Sequence, residues 1–287
     1  MTIWPRAMPA LVTAFDASGD IDLEGHRHNI ATMVARGARG VLLAGSTGEG
    51  PYLDAGERAA LITNAKDVDG SLTILCGVNA ESVRQGTAQI REAAEAGADA
   101  VLVITPTTLA RKDPAAVERF YEACAESSDV PMFLYNVPAV SSLVLTVDQV
   151  RNLSRHQRIV GMKDSGGEPQ RLDDLADLIA DGFTVFTGAS RALLASQHAG
   201  AWGAITASAN YALTDVSLAS RGDAAAQQRL TAIAAAIEQH GVAGTKAAAA
   251  ATGLRAGPPR LPLHPLDPAD EARITADLRA AGLVSTQ

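Results

Sequence analysis

Gly97-Ala-Asp-Ala-Val-Leu-Val-Ile-Thr-Pro106, followed by Asp113-Pro-Ala-Ala-Val-Glu-Arg-Phe-Tyr-Glu-Ala-Cys124, is the stretch that decides the fold. The run Ala100–Ile104 is apolar without alternation, as a parallel strand buried on both faces is. Asp113 then stands as an N-cap before Pro114 at the first helical position, where a missing N–H does no harm. Gly97 sits where the preceding helix stops. The unit is therefore a strand that feeds a helix.

Outward from it the same unit recurs. Apolar runs fall at Met8–Ala14, Gly40–Ala44, Leu72–Val78, Pro131–Asn136, Ile159–Lys163, Thr184–Gly188 and Gly203–Ala207, with amphipathic segments between them. Asp54-Ala-Gly-Glu57 and Thr146-Val-Asp-Gln149 fit capping boxes, and Gly37 and Gly40 precede the second strand. Eight strand–helix units in about 210 residues predict a (β/α)8 TIM barrel over residues 1–208. An open doubly wound sheet would carry a glycine cradle after its first strand, but Thr13-Ala-Phe-Asp16 has none. Beyond residue 209 the pattern is helical and alanine-rich, so 209–287 is expected to be a C-terminal helical extension packed on the barrel.

With 47% apolar and only 4% aromatic residues, the core must be aliphatic, and a net charge of −8 argues against nucleic acid or an anionic membrane as partner. Two cysteines, no signal peptide and no membrane-length apolar run lead to the expectation of a cytoplasmic protein. The histidines are scattered and show no metal-ligand spacing, so neither a metal nor a cofactor is expected.

A barrel's chemistry lies at the C-terminal ends of its strands. There the sequence places Gly45-Ser-Thr-Gly-Glu49, Thr105-Pro106, Tyr135-Asn-Val-Pro138, Lys163-Asp-Ser165 and Gly188-Ala-Ser-Arg191. Of the four lysines, Lys66, Lys112 and Lys246 occupy polar loop or helical contexts, whereas Lys163 alone ends an apolar strand. Desolvation disfavours an ammonium, and a neutral amine attacks a carbonyl, so Lys163 is a candidate Schiff-base nucleophile. The bland alternative is an ion pair of Lys163 with Asp164 or Glu49. Tyr135, at the end of the neighbouring strand, points into the same mouth and can carry a proton. Ser46, Thr47 and Gly48 form a turn before a helix that suits a carboxylate.

Three motifs in register, Gly45-Ser-Thr-Gly-Glu49, Tyr135-Asn-Val-Pro138 and Gly161-Met-Lys-Asp164, resemble the dihydrodipicolinate synthase / N-acetylneuraminate lyase family of class I aldolases over nearly the whole chain. The resemblance implies an imine between Lys163 and pyruvate or a related 2-keto acid. Tyr135 would be the proton carrier, with Thr47 or Ser46 in the relay. Ser46 and Thr47 would hold the carboxylate, and the Ile205 carbonyl would touch the intermediate. Gly188, Ser190 and Arg191 fall where substrate contacts are expected, and a homo-oligomer, dimer or tetramer, is implied.

Departures from the family bear on substrate. Thr107 and Thr108 stand where dihydrodipicolinate synthases carry a tyrosine pair, and Val140 where they carry an arginine. Ser190 and Arg191 replace the acidic pair of sialic acid lyases. Val160-Gly-Met-Lys-Asp-Ser-Gly-Gly167 looks closest to 4-hydroxy-2-oxoglutarate aldolases, and Arg191 or Arg111 is suited to a distal carboxylate. The expected activity is reversible cleavage of a 4-hydroxy-2-keto acid. Dehydration of a 3-deoxy-2-keto sugar acid through the same imine, a synthase-like condensation, and a non-catalytic keto-acid-binding barrel are the alternatives.

Overall fold

In the computed structural model, which describes residues 4–284 apart from the side chain of Arg111, eight parallel strands form one sheet in the order β1-β8-β7-β6-β5-β4-β3-β2. They are β1 (Ala7–Pro9), β2 (Gly40–Leu43), β3 (Thr73–Val78), β4 (Ala100–Ile104), β5 (Met132–Asn136), β6 (Ile159–Asp164), β7 (Thr184–Thr187) and β8 (Gly203–Thr206). A parallel bridge between Ala10 and Leu42 joins β1 to β2 and closes the ring. The eight expected strands all form. The first is shorter than its apolar run, because Leu11–Phe15 leaves the ladder yet stays buried beneath the mouth.

The intervals hold α1 (Leu23–Ala35), α2 (Glu57–Val68), α3 (Val83–Glu95), α4 (Pro114–Glu126), the short α5 (Pro138–Ser141), α6 (Val147–Leu153), the short α7 (Gln170–Asp173) and α8 (Ala176–Ala180), and α9 (Leu193–His198). Local chemistry sets their starts. The Asp113 carboxylate accepts from the Ala116 N–H ahead of Pro114, and Thr146 with Gln149 makes the full reciprocal capping box. The second expected box is corrected: α2 starts at Glu57 behind Gly56, and only the Glu57 carboxylate reaches back, to the Asp54 N–H at 2.7 Å. Gly37 and Gly97 adopt φ of 95° and 96° after α1 and α3, while Gly40 belongs to β2 itself.

Two apolar layers result. Inside the barrel, Met8, Leu42, Leu75, Leu102, Phe133, Phe186 and Ile205 fill the lumen. A larger layer, including Ile30, Leu61, Ile74, Val103, Tyr121 and Met162, lies between strands and helices. Strand alternation assigns each residue to one layer or the other.

The remaining chain forms α10 (Ala209–Ala219), α11 (Ala224–Glu238), α12 (Gly241–Ala251) and α13 (Pro268–Ala280). Asn210 of α10 grips the end of β1, accepting from the Val12 N–H at 3.1 Å and donating to the Ala10 carbonyl at 2.7 Å. Among the described residues no helix is long and apolar enough to cross a membrane.

Candidate active site

Tyr135 and Lys163 are directly paired in the β5–β6 register, at the strand ends that open into the mouth. Both are buried, at 6% and 5% exposure. The Lys163 Nζ lies 4.5 Å from the centroid of the Tyr135 ring. Burial alone would raise the phenol pKa, but the Lys163 charge, with Ser165, Lys163 and Ser46 beside the hydroxyl, brings it below the ordinary tyrosine value. An amino group and an acidified phenol thus share a water-poor pocket, groups whose chemistry suits addition to a carbonyl and proton transfer.

Neither of the bland ion pairs forms. Asp164 points to the other face of β6, 2.9 Å from the Arg171 Nε. Glu49 pairs instead with Lys246, whose Nζ stands 2.7 Å from Oε1 with the two side chains 3% and 0% exposed. Lys246 is therefore no solvated helical lysine: α12 presents it inward, over the Phe15 ring at 4.6 Å and onto the Pro258 carbonyl at 2.7 Å.

Gly188 faces Lys163 from the end of β7. A Cβ there would stand 2.0 Å from the Ser165 Oγ and 2.7 Å from the Lys163 Cε, so the lysine side chain lies across a surface only glycine provides. Opposite, β2 ends where Ala44 turns left-handed at φ 53°, and Glu49 does so again at 56°. The loop between them carries Ser46, Thr47 and Gly48. Gly50 closes it, since a Cβ there would fall 1.9 Å from the Ala44 carbonyl oxygen. Thr13 donates to the Gly48 carbonyl at 2.6 Å and ties the turn to the segment that follows β1. The Ser46 Oγ is buried near Tyr135 yet has no hydrogen-bond partner in good geometry. A buried hydroxyl without a partner beside the phenol suits a polar ligand.

Ile205 is fully buried in β8 and packs in the lumen layer. Ser190 is buried as well, and its hydroxyl is engaged by other groups than the lysine. It donates to Glu238 Oε1 at 2.5 Å and sits 2.9 Å from the Ser208 Oγ, which is 3.0 Å from the Thr206 Oγ1. Ser190 thus fastens α11 to the rim. Arg191 is exposed beside it, its guanidinium against the Gly167 backbone, where a Cβ would meet Nη2 at 2.6 Å. The Arg111 side chain lies outside the described residues. Thr107 and Thr108 are held by Glu81, which accepts from the Thr107 N–H and hydroxyl at 3.0 and 2.7 Å and from the Thr108 N–H at 2.9 Å. Val140 is 56% exposed on the rim.

The sequence places Asn136, Asp164 and Ser165 only as neighbours in the strand-end motifs, Asp164 also as a possible partner of Lys163, and offers no reading of Arg171 or Glu238. Period-two alternation was the available signal for Asn136 and Asp164, which must face away from the residues before them. Arg171 and Glu238 carried none. Cavity size is no guide here either. A cavity of about 650 Å³ opens at the opposite, N-terminal end, lined by Trp4, Val160, Leu178, Phe183 and Trp202 among others. Barrel chemistry belongs to the C-terminal end, where the lysine is.

Comparison with known proteins bears on the fold and the family. The family model of the dihydrodipicolinate synthetase family matches residues 4–281. The 4-hydroxy-tetrahydrodipicolinate synthase of Methanosarcina mazei is 31% identical over 97% of this chain and 98% of its own. Among solved structures, YagE, a prophage protein of the dihydrodipicolinic acid synthase family from E. coli K12 in complex with pyruvate, superposes with a TM-score of 0.91 at 28% identity, covering 98% of this chain and all of its own. The dihydrodipicolinate synthase of Acinetobacter baumannii complexed with pyruvate gives 0.89 at 26% identity, over 97% of this chain and 99% of its own.

Proposed function

Since the chain belongs to the dihydrodipicolinate synthetase family, whose members are class I lysine Schiff-base lyases and aldolases, we propose that Lys163 forms its imine with a pyruvate-type 2-keto acid and that the enzyme reversibly cleaves a 4-hydroxy-2-keto acid. The observation that carries this reading is the buried, register-paired Lys163 and Tyr135, whose phenol is acidified and has the Ser46 hydroxyl beside it.

The Lys163 amine adds to the C2 carbonyl and water leaves. The protonated imine is an electron sink. Tyr135 takes the proton of the C4 hydroxyl, the C3–C4 bond breaks to release an aldehyde, and its electron pair goes into an enamine. Protonation at C3 and hydrolysis then free pyruvate and the lysine. Ser46, Thr47 and the Gly48 turn hold the C1 carboxylate in this scheme, and the Ile205 carbonyl faces the intermediate. Arg191, on the rim near the β7 end, supplies a cation for a second carboxylate at the substrate's far end.

Borohydride reduction with pyruvate and peptide mapping tests the core of the reading. A pyruvate-derived mass at Lys163, lost in Lys163→Ala, is expected; its absence with pyruvate and with longer 2-keto acids overturns the assignment. Cleavage is expected to release pyruvate or glyoxylate, whereas a longer keto acid without pyruvate means dehydration.

A synthase-like condensation has specific support, because relatives that match 97% of the chain carry that name. It uses the same imine in the forward direction, with an incoming carboxylate-bearing aldehyde. Consumption of pyruvate with such an aldehyde, and no cleavage of 4-hydroxy-2-keto acids, would establish it. Thr107, Thr108 and Val140 at the rim favour cleavage.

A further inference from the structure

Behind the barrel wall, on the face of β5 and β6 turned away from Tyr135 and Lys163, four residues form a closed polar ring. The Asn136 Nδ2 donates to Asp164 Oδ2 at 3.1 Å. The Arg171 Nε lies 2.9 Å from the same oxygen. Its N–H is not aligned for a hydrogen bond, so this contact is ionic. Arg171 also donates through its guanidinium to the Leu145 carbonyl, and the Leu145 N–H donates to Asn136 Oδ1 at 3.1 Å. Both ends of the Leu145 peptide are therefore gripped by groups that meet at one carboxylate oxygen. The other oxygen, Oδ1, accepts from the Gly166 N–H at 2.8 Å. Asn136 and Asp164 are 1% and 6% exposed.

The ladder below the ring is not regular. Met132 pairs with Ile159, but Phe133 pairs with Gly161, so β6 carries an extra residue at its foot. A strand that has already shifted once has a register that its lower half does not determine. A slip of one residue at the top would exchange the faces of Lys163 and Asp164, placing the carboxylate in the mouth and the amine behind the wall. The Asn136–Asp164 contact forms only in the register that keeps Lys163 beside Tyr135. Arg171 compensates the buried carboxylate that makes the contact, and Leu145 connects the ring to the rim loop 137–145.

We infer that Asn136, Asp164 and Arg171 are positioning residues for the imine chemistry: they fix the β5–β6 register and the rim loop, and so set the placement of Lys163 against Tyr135 without touching substrate. This rests on the reading of Lys163 as the imine lysine. A misplacement of about 1 Å in such a pair lowers rates on the order of 100-fold.

The test needs pyruvate alone. Imine and enamine formation exchanges the methyl hydrogens of pyruvate for deuterium in D2O, and proton NMR gives kcat and KM for the exchange. Asn136→Ala and Arg171→Met are expected to lower kcat about 10- to 100-fold with the pyruvate KM within about 3-fold, since Ser46 and Thr47 stand on the loop after β2, outside the ring. Arg171→Lys, which keeps the charge, is expected to recover part of the rate. Should Arg171→Met fail to fold, Arg171→Met with Asp164→Asn removes both charges and carries the same expectation. Folded variants that exchange at the wild-type rate overturn the inference, as does a rise in KM that accounts for the whole loss. No exchange by the wild-type protein would instead overturn the imine reading from which the inference starts.

Discussion

Replacing Lys246 with methionine is the sharpest perturbation of this fold. The substitution keeps the volume and apolar stem but removes the ammonium from Glu49, whose side chain is fully buried. Burial holds the Lys246 pKa below its ordinary value even though Glu49 pulls it up, so this pair is isolated from water. What remains for the carboxylate is the Arg260 backbone N–H at 2.7 Å. Removing one partner of a buried pair costs about 3–5 kcal/mol, because the other charge stays behind uncompensated. At about 2.1 cal/mol/K of unfolding entropy per residue, 287 residues give roughly 0.6 kcal/mol/K, and the midpoint should fall by about 5–8 °C. Differential scanning calorimetry at fixed protein concentration reads this directly. Glu49→Gln added to Lys246→Met makes the site neutral and leaves an acceptor for the Arg260 N–H, so the double variant should regain at least half of the loss. A single variant within about 2 °C of wild type, or a double variant no better than the single, would refute the reasoning.

Gly188→Ala places a methyl against the movable ends of Ser165 and Lys163 rather than against backbone. It should leave the thermal midpoint nearly unchanged while slowing borohydride trapping of pyruvate by on the order of 100-fold, and an unchanged trapping rate would show that the lysine has room to spare. His26 is buried with its pKa pushed down from 6.5 to about 4 by desolvation. Its folded form is neutral where the unfolded form takes a proton, so its share of stability is complete above pH 6.5 and lost as the pH falls toward 4. That share is about 3 kcal/mol at full loss, and chemical denaturation of wild type and His26→Gln should show a gap that narrows across this window. Cys76 and Cys124 have thiols pushed up to about 12 by burial, so a thiol reagent at neutral pH should label neither in the native protein and both in denaturant.

How much of this was legible in the sequence depends on the range of the interaction. Eight strands, the Asp113–Pro114 start and the Thr146–Gln149 box follow from neighbours along the chain, and all form. Lys163 and Tyr135 stood out because a polar group that ends an apolar strand has few places to point. The run Met8–Ala14 misled about length, since apolarity signals burial and not pairing: Leu11 to Phe15 are buried outside the ladder. Gly56 displaced Asp54 as the start of α2 because the cap is settled by backbone conformation, left-handed at φ 88°. Lys246 looked solvated because its partner Glu49 is remote in sequence and only the docked C-terminal helices bring them together. Ser190 was legible as a mouth residue, but not its engagement with Glu238, which arrives from α11.

The two tryptophans of the chain carry an optical consequence. Trp4 and Trp202 both line the cavity at the N-terminal end, joined by the bond from the Trp202 indole N–H to the Trp4 carbonyl at 2.8 Å, with the Arg6 guanidinium 4.2 Å above the Trp202 ring. Native indole emission therefore originates at the floor of the barrel, opposite Lys163. It reports on the integrity of that floor and on anything entering it. A tryptophan introduced at the exposed rim position Val140 would add an emitter at the mouth, and the two ends of one barrel could then be followed as separate signals.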